Sequence, residues 1–120
     1  MLSMIAIVLF SQQPITTVDE GIASYYTIAS SSTLTASGEE MVDEAMTCAM
    51  RSGTFGATYR VTAENGRSVT VRLNDRGPYV EGREIDLSAA AMRALDPTMQ
   101  EGLLNVKIER INESAIAPLF

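Results

Sequence analysis

The chain has 120 residues, of which 46% are apolar and 20% charged, a composition typical of one folded domain with a modest core. Its formal net charge is −6 and its nine positive residues are scattered, which argues against nucleic acid as a partner because a phosphate backbone requires clustered lysines and arginines. One cysteine and no histidine exclude an internal disulfide and a zinc site of cysteine and histidine ligands, so we predict no metal and no cofactor.

An apolar run over Met1–Phe10 opens the chain. It is too short to span a bilayer, so no stable membrane span is predicted. It resembles the apolar part of an export signal, but no positive charge precedes it and the Gln-Gln-Pro at 12–14 is a poor cleavage site. Residues 1–20 are therefore predicted to be either a leader for export to the periplasm or cell envelope, or an N-terminal arm in an envelope or virion assembly.

The first half of the chain contains segments typical of short strands and loops. A strand is predicted over Gly21–Thr27, a loop over 29–38, a helical turn over 39–45 and a short buried strand over Ala45–Met50. Because no histidine can activate it, Cys48 in that last strand is interpreted as a buried apolar residue rather than a nucleophile.

The second half shows clearer alternation of apolar and polar residues. Asn65-Gly66 is a strong hairpin signal between two strands over Thr58–Thr62 and Ser68–Leu73. The remaining predicted elements are a strand over Glu84–Leu87, a helix over Ala89–Leu95 that Ser88 caps and Pro97 ends, a strand over Leu103–Ile111, and a tail over 112–120. Six short strands with one or two short helices predict a mainly β fold, a small closed barrel over residues 21–111.

Charged residues stand together at the end of one of these strands. Val69, Val71 and Leu73 share the buried face of their strand, and Asn74, Asp75 and Arg76 follow directly. The turn formers Gly77 and Pro78 come next and are interpreted as structural. A carboxylate and a guanidinium are thereby expected at the rim of a sheet, where a fold often carries its chemistry.

Seven segments, in order, resemble the rare lipoprotein A (RlpA) family of double-psi β-barrels. They are Gly21-Ile-Ala-Ser-Tyr-Tyr26, Thr35-Ala-Ser-Gly-Glu39, Ala45-Met-Thr-Cys-Ala49, Phe55-Gly56 with Tyr59-Arg-Val-Thr62, Asn65-Gly-Arg-Ser68, Asn74-Asp-Arg-Gly-Pro78 and Gly82-Arg-Glu-Ile-Asp-Leu-Ser88. The resemblance covers about residues 21–111. It implies a six-stranded double-psi barrel that acts on the glycan strands of peptidoglycan, as a lytic transglycosylase that leaves an anhydro sugar.

One position departs from the family pattern. The family carries a histidine after the segment that matches Ala45–Ala49, and this chain has Met50 there. A thioether neither donates nor accepts a proton, so whatever that histidine does is absent. Two alternatives to an enzyme therefore stay open: a glycan-binding module without catalysis, and a structural module of an envelope or virion assembly.

Asp75 is the predicted acid and base. Lytic transglycosylation needs one positioned acid, which protonates the leaving oxygen and then accepts the proton of the sugar's own 6-hydroxyl. Arg76 beside it would favour the carboxylate, so this role requires Arg76 to point elsewhere, for instance toward Asp86. Taken without the resemblance, Asp75 is instead a carboxylate that caps the following turn.

Glu39 is the second predicted catalytic residue, since the resemblance implies a glutamate facing the groove there. Its alternative is a solvated carboxylate at the start of a helical turn. Tyr25, Tyr26 and Tyr79 are candidates for stacking on sugar rings, with Tyr26 and Tyr79 assigned to substrate binding. Strand alternation sends Tyr25 and Tyr26 to opposite faces, so the alternative for at least one of them is an ordinary core residue. Arg76 and Arg83 are candidates for substrate contact, with a scaffold role as the alternative, and Asp86 is assigned to the scaffold.

Overall fold

The protein is described by a computed structural model that covers residues 15–27 and 34–111. Its strands are β1 (Ile15–Tyr25), β2 (Thr47–Ala49), β3 (Thr58–Ala63), β4 (Ser68–Asp75), β5 (Arg83–Leu87) and β6 (Leu104–Ile111), and its helix is α1 (Ala89–Leu95). The predicted arm over 1–14, the tail over 112–120 and part of the predicted loop lie outside the described residues.

The six strands close into a barrel in the order β1-β5-β2-β4-β3-β6. The pairs β1–β5 and β2–β4 are parallel, and the other four are antiparallel. The predicted closed barrel of six strands is confirmed. Because strand order differs from chain order, residues far apart in sequence become neighbours across a single strand.

Strand alternation explains the core. In β3 the inward residues Tyr59 and Val61 are 3% and 0% exposed, as predicted, and Val71 and Leu73 of β4 face them from the neighbouring strand. Cys48 is fully buried and unpaired in the same core, which confirms its apolar interpretation. The barrel is therefore filled by side chains.

The hairpin and helix form as their local signals indicate. Gly66 takes a positive φ of 91° in the turn between β3 and β4, a conformation that costs glycine little. The Ser88 hydroxyl accepts a hydrogen bond from the Ala91 N–H at 3.2 Å and donates to the Ala45 carbonyl at 2.6 Å. Ser88 thus caps α1 and ties it to the segment before β2.

Two elements differ from prediction. β1 begins at Ile15 rather than at Gly21, because residues 15–20 pair with β6. The predicted helical turn over 39–45 is absent; the Leu34–Glu40 bridge and a turn closed by Ala45 N–H to the Val42 carbonyl occupy this region. One α-helix is present in the part of the chain described, and no helix there is long and apolar enough to cross a membrane.

Candidate active site

Two aspartates flank the short strand β2. Ala49 in β2 is the register partner of Asp75 at the end of β4 and also of Asp86 in β5. Neighbouring strands lie about 4.8 Å apart, so the two aspartate backbones are roughly 10 Å apart across one intervening strand. The barrel closure therefore brings together two carboxyl groups that the sequence separates by ten residues.

Asp75 is half-buried and held through one of its oxygens. Its Oδ1 accepts hydrogen bonds from the Ala36 N–H at 2.8 Å and from the Arg76 N–H at 2.9 Å. No residue within 15–27 or 34–111 donates a hydrogen bond to Oδ2. The carboxyl group is thus fixed in orientation through Oδ1, and Oδ2 has no donor among the described residues.

The Arg76 side chain points away from both aspartates. Its Nη2 donates to the Gly53 carbonyl at 2.7 Å and its Nη1 to the Met50 carbonyl at 3.4 Å. The guanidinium carbon lies 4.1 Å from the centroid of the Phe55 ring. The suggested pairing of Arg76 with Asp86 is therefore wrong, although the requirement that Arg76 leave Asp75 unpaired is met.

Asp86 is the carboxyl group with the raised pKa. Burial raises the pKa of Asp86 above its ordinary value, and the nearby Asp75 adds to the increase. The Ser24 hydroxyl, which donates to Asp86 Oδ1 at 2.8 Å, and the charge of Arg83 lower the pKa by less than burial raises it. Asp86 was assigned to the scaffold, but its environment is the one that favours holding a proton.

Tyr26 forms part of the wall behind the two aspartates. It is 5% exposed, and its hydroxyl lies 2.9 Å from the Thr47 Oγ1 in a buried hydrogen bond. Burial raises the pKa of Tyr26 to about 12, with smaller contributions from Asp75 and Asp86. The prediction that Tyr26 stacks on a sugar ring is wrong, because its ring presents no open face; the preceding Tyr25 points outward instead.

Glu39 forms a bidentate ion pair with Arg72 near the site. Arg72 in β4 donates to both of its carboxylate oxygens, at 2.8 and 2.9 Å, and Asn74 Nδ2 donates at 3.1 Å. The hydrogen bonds from Arg72, then that from Asn74, lower the pKa of Glu39 to about 2. Glu39 is consequently ionised near neutral pH and does not act there as a proton donor.

The same contacts connect Glu39 to Asp75. Glu39 closes a tight loop in which its carbonyl accepts from the Thr35 N–H at 2.9 Å. This loop presents the Ala36 N–H to Asp75. The ion pair with Arg72 therefore anchors the loop that orients Asp75, so the geometry gives Glu39 a supporting position.

Tyr79 and Arg83 lie on the connection between the two aspartate-bearing strands. Tyr79 is 77% exposed, and its ring borders Gly77, where an added Cβ would lie 3.7 Å from Cε2. Gly77 has a φ of 127° and Pro78 is buried beside it, which agrees with a structural role for this turn. The Arg83 guanidinium makes no hydrogen bond or ion pair with the residues described, so both side chains are accessible to a ligand.

Sequence reasoning missed three residues of the site: Ser24, Arg51 and Arg72. Ser24 bonds Asp86, Arg72 bonds Glu39, and Arg51 contacts the connection that carries Tyr79. Alternation along β4 places Arg72 on the face opposite Leu73, which was a usable signal. The partners of all three residues depend on the barrel register, which no local pattern specifies.

No metal centre accompanies these residues: within 15–27 and 34–111, no three acidic or cysteine side chains form a cluster suited to a metal ion. A cleft of about 500 Å³ lies at the hairpin end of the barrel, opposite the end that carries Asp75. Its lining includes Glu20, Glu64 and Lys107. The aspartate pair instead lies at the other end of the barrel, where the connection that carries the exposed Tyr79 follows Asp75.

Comparison with known proteins agrees with this arrangement. The sequence model of the family described as "Lytic transglycolase" matches residues 18–108. The chain belongs to this family. The predicted resemblance is thereby confirmed.

Several curated relatives are similar over most of this chain. A probable endolytic peptidoglycan transglycosylase RlpA from Treponema pallidum is 45% identical over 101 residues, covering 83% of this chain and 31% of that protein. Its counterpart in Nostoc is 50% identical over 93 residues, covering 75% and 25%. The endolytic peptidoglycan transglycosylase RlpA of Vibrio cholerae is 40% identical over 94 residues, covering 78% and 35%. The chain thus spans about a quarter to a third of the length of these relatives.

Solved structures share the fold at lower identity. The Streptomyces papain inhibitor has a TM-score of 0.61 at 24% identity, covering 77% of this chain and 91% of that one. The expansin of Clavibacter michiganensis also has a TM-score of 0.61, at 23% identity, covering 81% and 50%. These likenesses confirm the double-psi β-barrel.

Met50, at the position where the resemblance implies a histidine, is a backbone neighbour of Asp75. Its N–H donates to the Asp75 carbonyl at 3.2 Å, and its side chain, 7% exposed, packs in the hydrophobic core. The position is therefore close enough for a side chain to influence the site. In this member of the lytic transglycolase family that side chain carries no exchangeable proton.

Proposed function

We propose that this chain acts on the glycan strands of peptidoglycan as a lytic transglycosylase, cleaving between N-acetylmuramic acid and N-acetylglucosamine. The observation that carries the proposal is the pair Asp75 and Asp86 on either side of Ala49. Each has one oxygen without a hydrogen bond from the residues described, and burial favours a proton on Asp86. The names of the RlpA relatives support the same substrate.

The two carboxyl groups have complementary environments. Asp86 donates its proton to the glycosidic oxygen as the bond to the anomeric carbon breaks. Asp75, held by the Ala36 N–H, accepts the proton of the sugar's 6-hydroxyl as that oxygen bonds to the same carbon. No water is consumed, and the proton gained by Asp75 replaces the one lost by Asp86 once the pair re-equilibrates with solvent.

Around this pair, the exposed connection supplies substrate contacts. Tyr79 offers an aromatic face to a sugar ring, and the Arg83 guanidinium offers hydrogen-bond donors to its polar groups. Glu39 and Arg72 hold the loop that orients Asp75. The predictions of a periplasmic or envelope location, and of envelope or virion partners, stay predictions.

Product analysis of digested sacculi tests the proposal. The wild type is expected to release anhydro-muropeptides, and Asp75→Asn and Asp86→Asn should each lower the release at least about 100-fold, since a positioned acid or base contributes about 10²–10⁴ in rate. Asp19→Asn, an exposed aspartate on β1, is the matched control and should leave the release unchanged. Intact glycan strands after prolonged incubation with the wild type would refute the catalytic proposal.

The buried Met50 supports one alternative, a glycan-binding module without catalysis. It predicts that the wild type co-sediments with sacculi and releases no product. Met50→His would then gain product release, because the resemblance implies an active-site histidine at this position. A protein that neither pellets with sacculi nor cleaves them would exclude both functions.

A further inference from the structure

Two connections next to the aspartate-bearing strands are joined by arginines, because each connection carries one arginine that hydrogen-bonds to the other. The first covers residues 50–56 after β2, and the second runs over residues 76–83, from the end of β4 to the first residue of β5. Arg76 extends from the second connection to the Met50 and Gly53 carbonyls of the first. Arg51 extends in the opposite direction, from the first connection to the second. We call this reciprocal arrangement of Arg51 and Arg76 the arginine clasp.

Arg51 contacts both ends of the connection that it crosses. Its Nη1 donates to the Pro78 carbonyl at 3.1 Å and to the Arg83 carbonyl at 2.6 Å, while Nη2 donates to Glu84 Oε1 at 2.8 Å. The segment between Pro78 and Arg83 has one backbone hydrogen bond of its own, from the Arg83 N–H to the Val80 carbonyl at 3.1 Å. Arg51 therefore ties the two flanks of this segment, Pro78 and Arg83, to one guanidinium.

The segment held in this way carries Tyr79, with its ring exposed at the rim. It also joins the strand that ends at Asp75 to the strand that contains Asp86. An exposed ring on a loosely held loop would lose side-chain and backbone freedom when it bound a sugar, and that loss would weaken binding. Fixing the loop in advance removes part of this cost.

Only an arginine fits these three acceptors. A guanidinium has five N–H donors in a planar fork, so it can serve two carbonyls and a carboxylate at once. A lysine at this position would keep the charge but could not reproduce the fork. The ion pair with Glu84 alone would contribute little, because its two side chains are 42% and 26% exposed.

We propose that Arg51 is a positioning residue for glycan binding, which acts by holding the 76–83 connection so that Tyr79 is displayed beside the aspartate pair. The inference rests on the proposed function for the identity of the ligand. Arg51 makes no contact with Asp75 or Asp86 among its hydrogen bonds and ion pairs in the described structure. Its removal is therefore expected to raise KM or Kd and to leave kcat close to that of the wild type.

A double-mutant cycle tests this role. The variants are Arg51→Met, Tyr79→Ala and the double variant, with binding measured by co-sedimentation with sacculi. Each single variant should weaken binding about tenfold, the effect of losing an aromatic contact worth about 1.4 kcal/mol. The double variant should bind no more weakly than Tyr79→Ala, because Arg51 acts through Tyr79. Independent, multiplicative losses would overturn the proposal.

Amide hydrogen exchange tests the clasp without any glycan. In Arg51→Met the Arg83 amide, which donates to the Val80 carbonyl and is the hydrogen-bonded amide of this segment, should exchange at least about tenfold faster than in the wild type, while the amides of β3 and β4 keep their rates. Unchanged exchange in this segment would overturn the proposal whether or not the protein binds sacculi. If neither the wild type nor any variant binds sacculi, the proposed function fails. The exchange rates then still show whether Arg51 holds the 76–83 connection in place.

Three further variants control the experiment. Arg60→Met removes an arginine of the same side-chain exposure, 42%, whose partner Glu109 lies on the barrel wall, and it should change neither binding nor loop exchange. Arg51→Lys should behave like Arg51→Met, and it serves as the test if the methionine variant does not fold. Glu84→Gln removes only the ion pair and should have a small effect, so a loss equal to that of Arg51→Met would contradict the importance of the two carbonyl bonds.

Discussion

Substitution of Gly53 by alanine should destabilise the barrel next to the candidate site. Gly53 has a φ of 110°, which an alanine adopts at a cost of about 1–2 kcal/mol. An added Cβ would lie 2.8 Å from the Tyr59 hydroxyl oxygen and 2.9 Å from Leu73 Cδ2, closer than ordinary contacts. Relieving such overpacking costs about 1–3 kcal/mol. Together with the backbone cost, Gly53→Ala should lower the free energy of unfolding by about 2–5 kcal/mol.

Gly56→Ala is the matched control for this prediction. Gly56 also has a positive φ, 97°, but an added Cβ would have no neighbour within 4 Å. Gly56→Ala should therefore lower the free energy of unfolding only by the cost of the positive φ, about 1–2 kcal/mol. Urea denaturation of both variants measures the difference, provided that the slope with denaturant stays constant. Equal losses in the two variants would refute the close approach of Gly53 to Tyr59 and Leu73.

Two further predictions concern pH. Because the folded-state pKa of Glu39 is lowered to about 2, its pair with Arg72 contributes stability that is present above about pH 4.5 and lost as the pH falls through about 2. The difference in unfolding free energy between the wild type and Arg72→Met should shrink as the pH falls from about 4.5 to about 2. The pKa of Glu39, titrated by NMR, should be higher in the variant than in the wild type. An unchanged pKa would contradict the pairing. Because the pKa of Asp86 is raised, the contribution of this carboxyl group to folding stability is fully present below pH 3.8 and is lost as the pH rises through the raised pKa. Asp86→Asn should therefore unfold at an equal or higher temperature than the wild type at pH 7. A clearly lower melting temperature would identify Asp86 as a scaffold residue.

Much of the barrel could be predicted because its local signals agree with the final structure. Alternation in β3 and β4, the Asn65-Gly66 turn and the Ser88 cap each specify an element within a few residues. The start of β1 was not predicted. Residues 15–20 were predicted to belong to a leader or N-terminal arm, yet they pair with β6. The β-branched residues at 15–18 favour a strand, but the pairing partner lies about ninety residues further along the chain.

The site was predictable in part for the same reason. Asp75 could be found because it ends an alternating strand before a turn, and that is a local feature. The proton-holding character of Asp86 could not be found, since it arises from burial and from neighbours on other strands. Alternation also indicated that Tyr25 and Tyr26 point to opposite sides, but only the closed barrel determines that Tyr26 is the buried one.

The strand order has a consequence for how activity arises during folding. Ser24, Ala49, Asp75 and Asp86 lie on four different strands, and two of the pairings that align them are parallel and join distant parts of the chain. Such long-range pairings form slowly, since the intervening chain must be ordered first. A nascent or partly unfolded polypeptide therefore has no assembled carboxyl pair, and the proposed glycan cleavage should begin only when the ring of strands is complete.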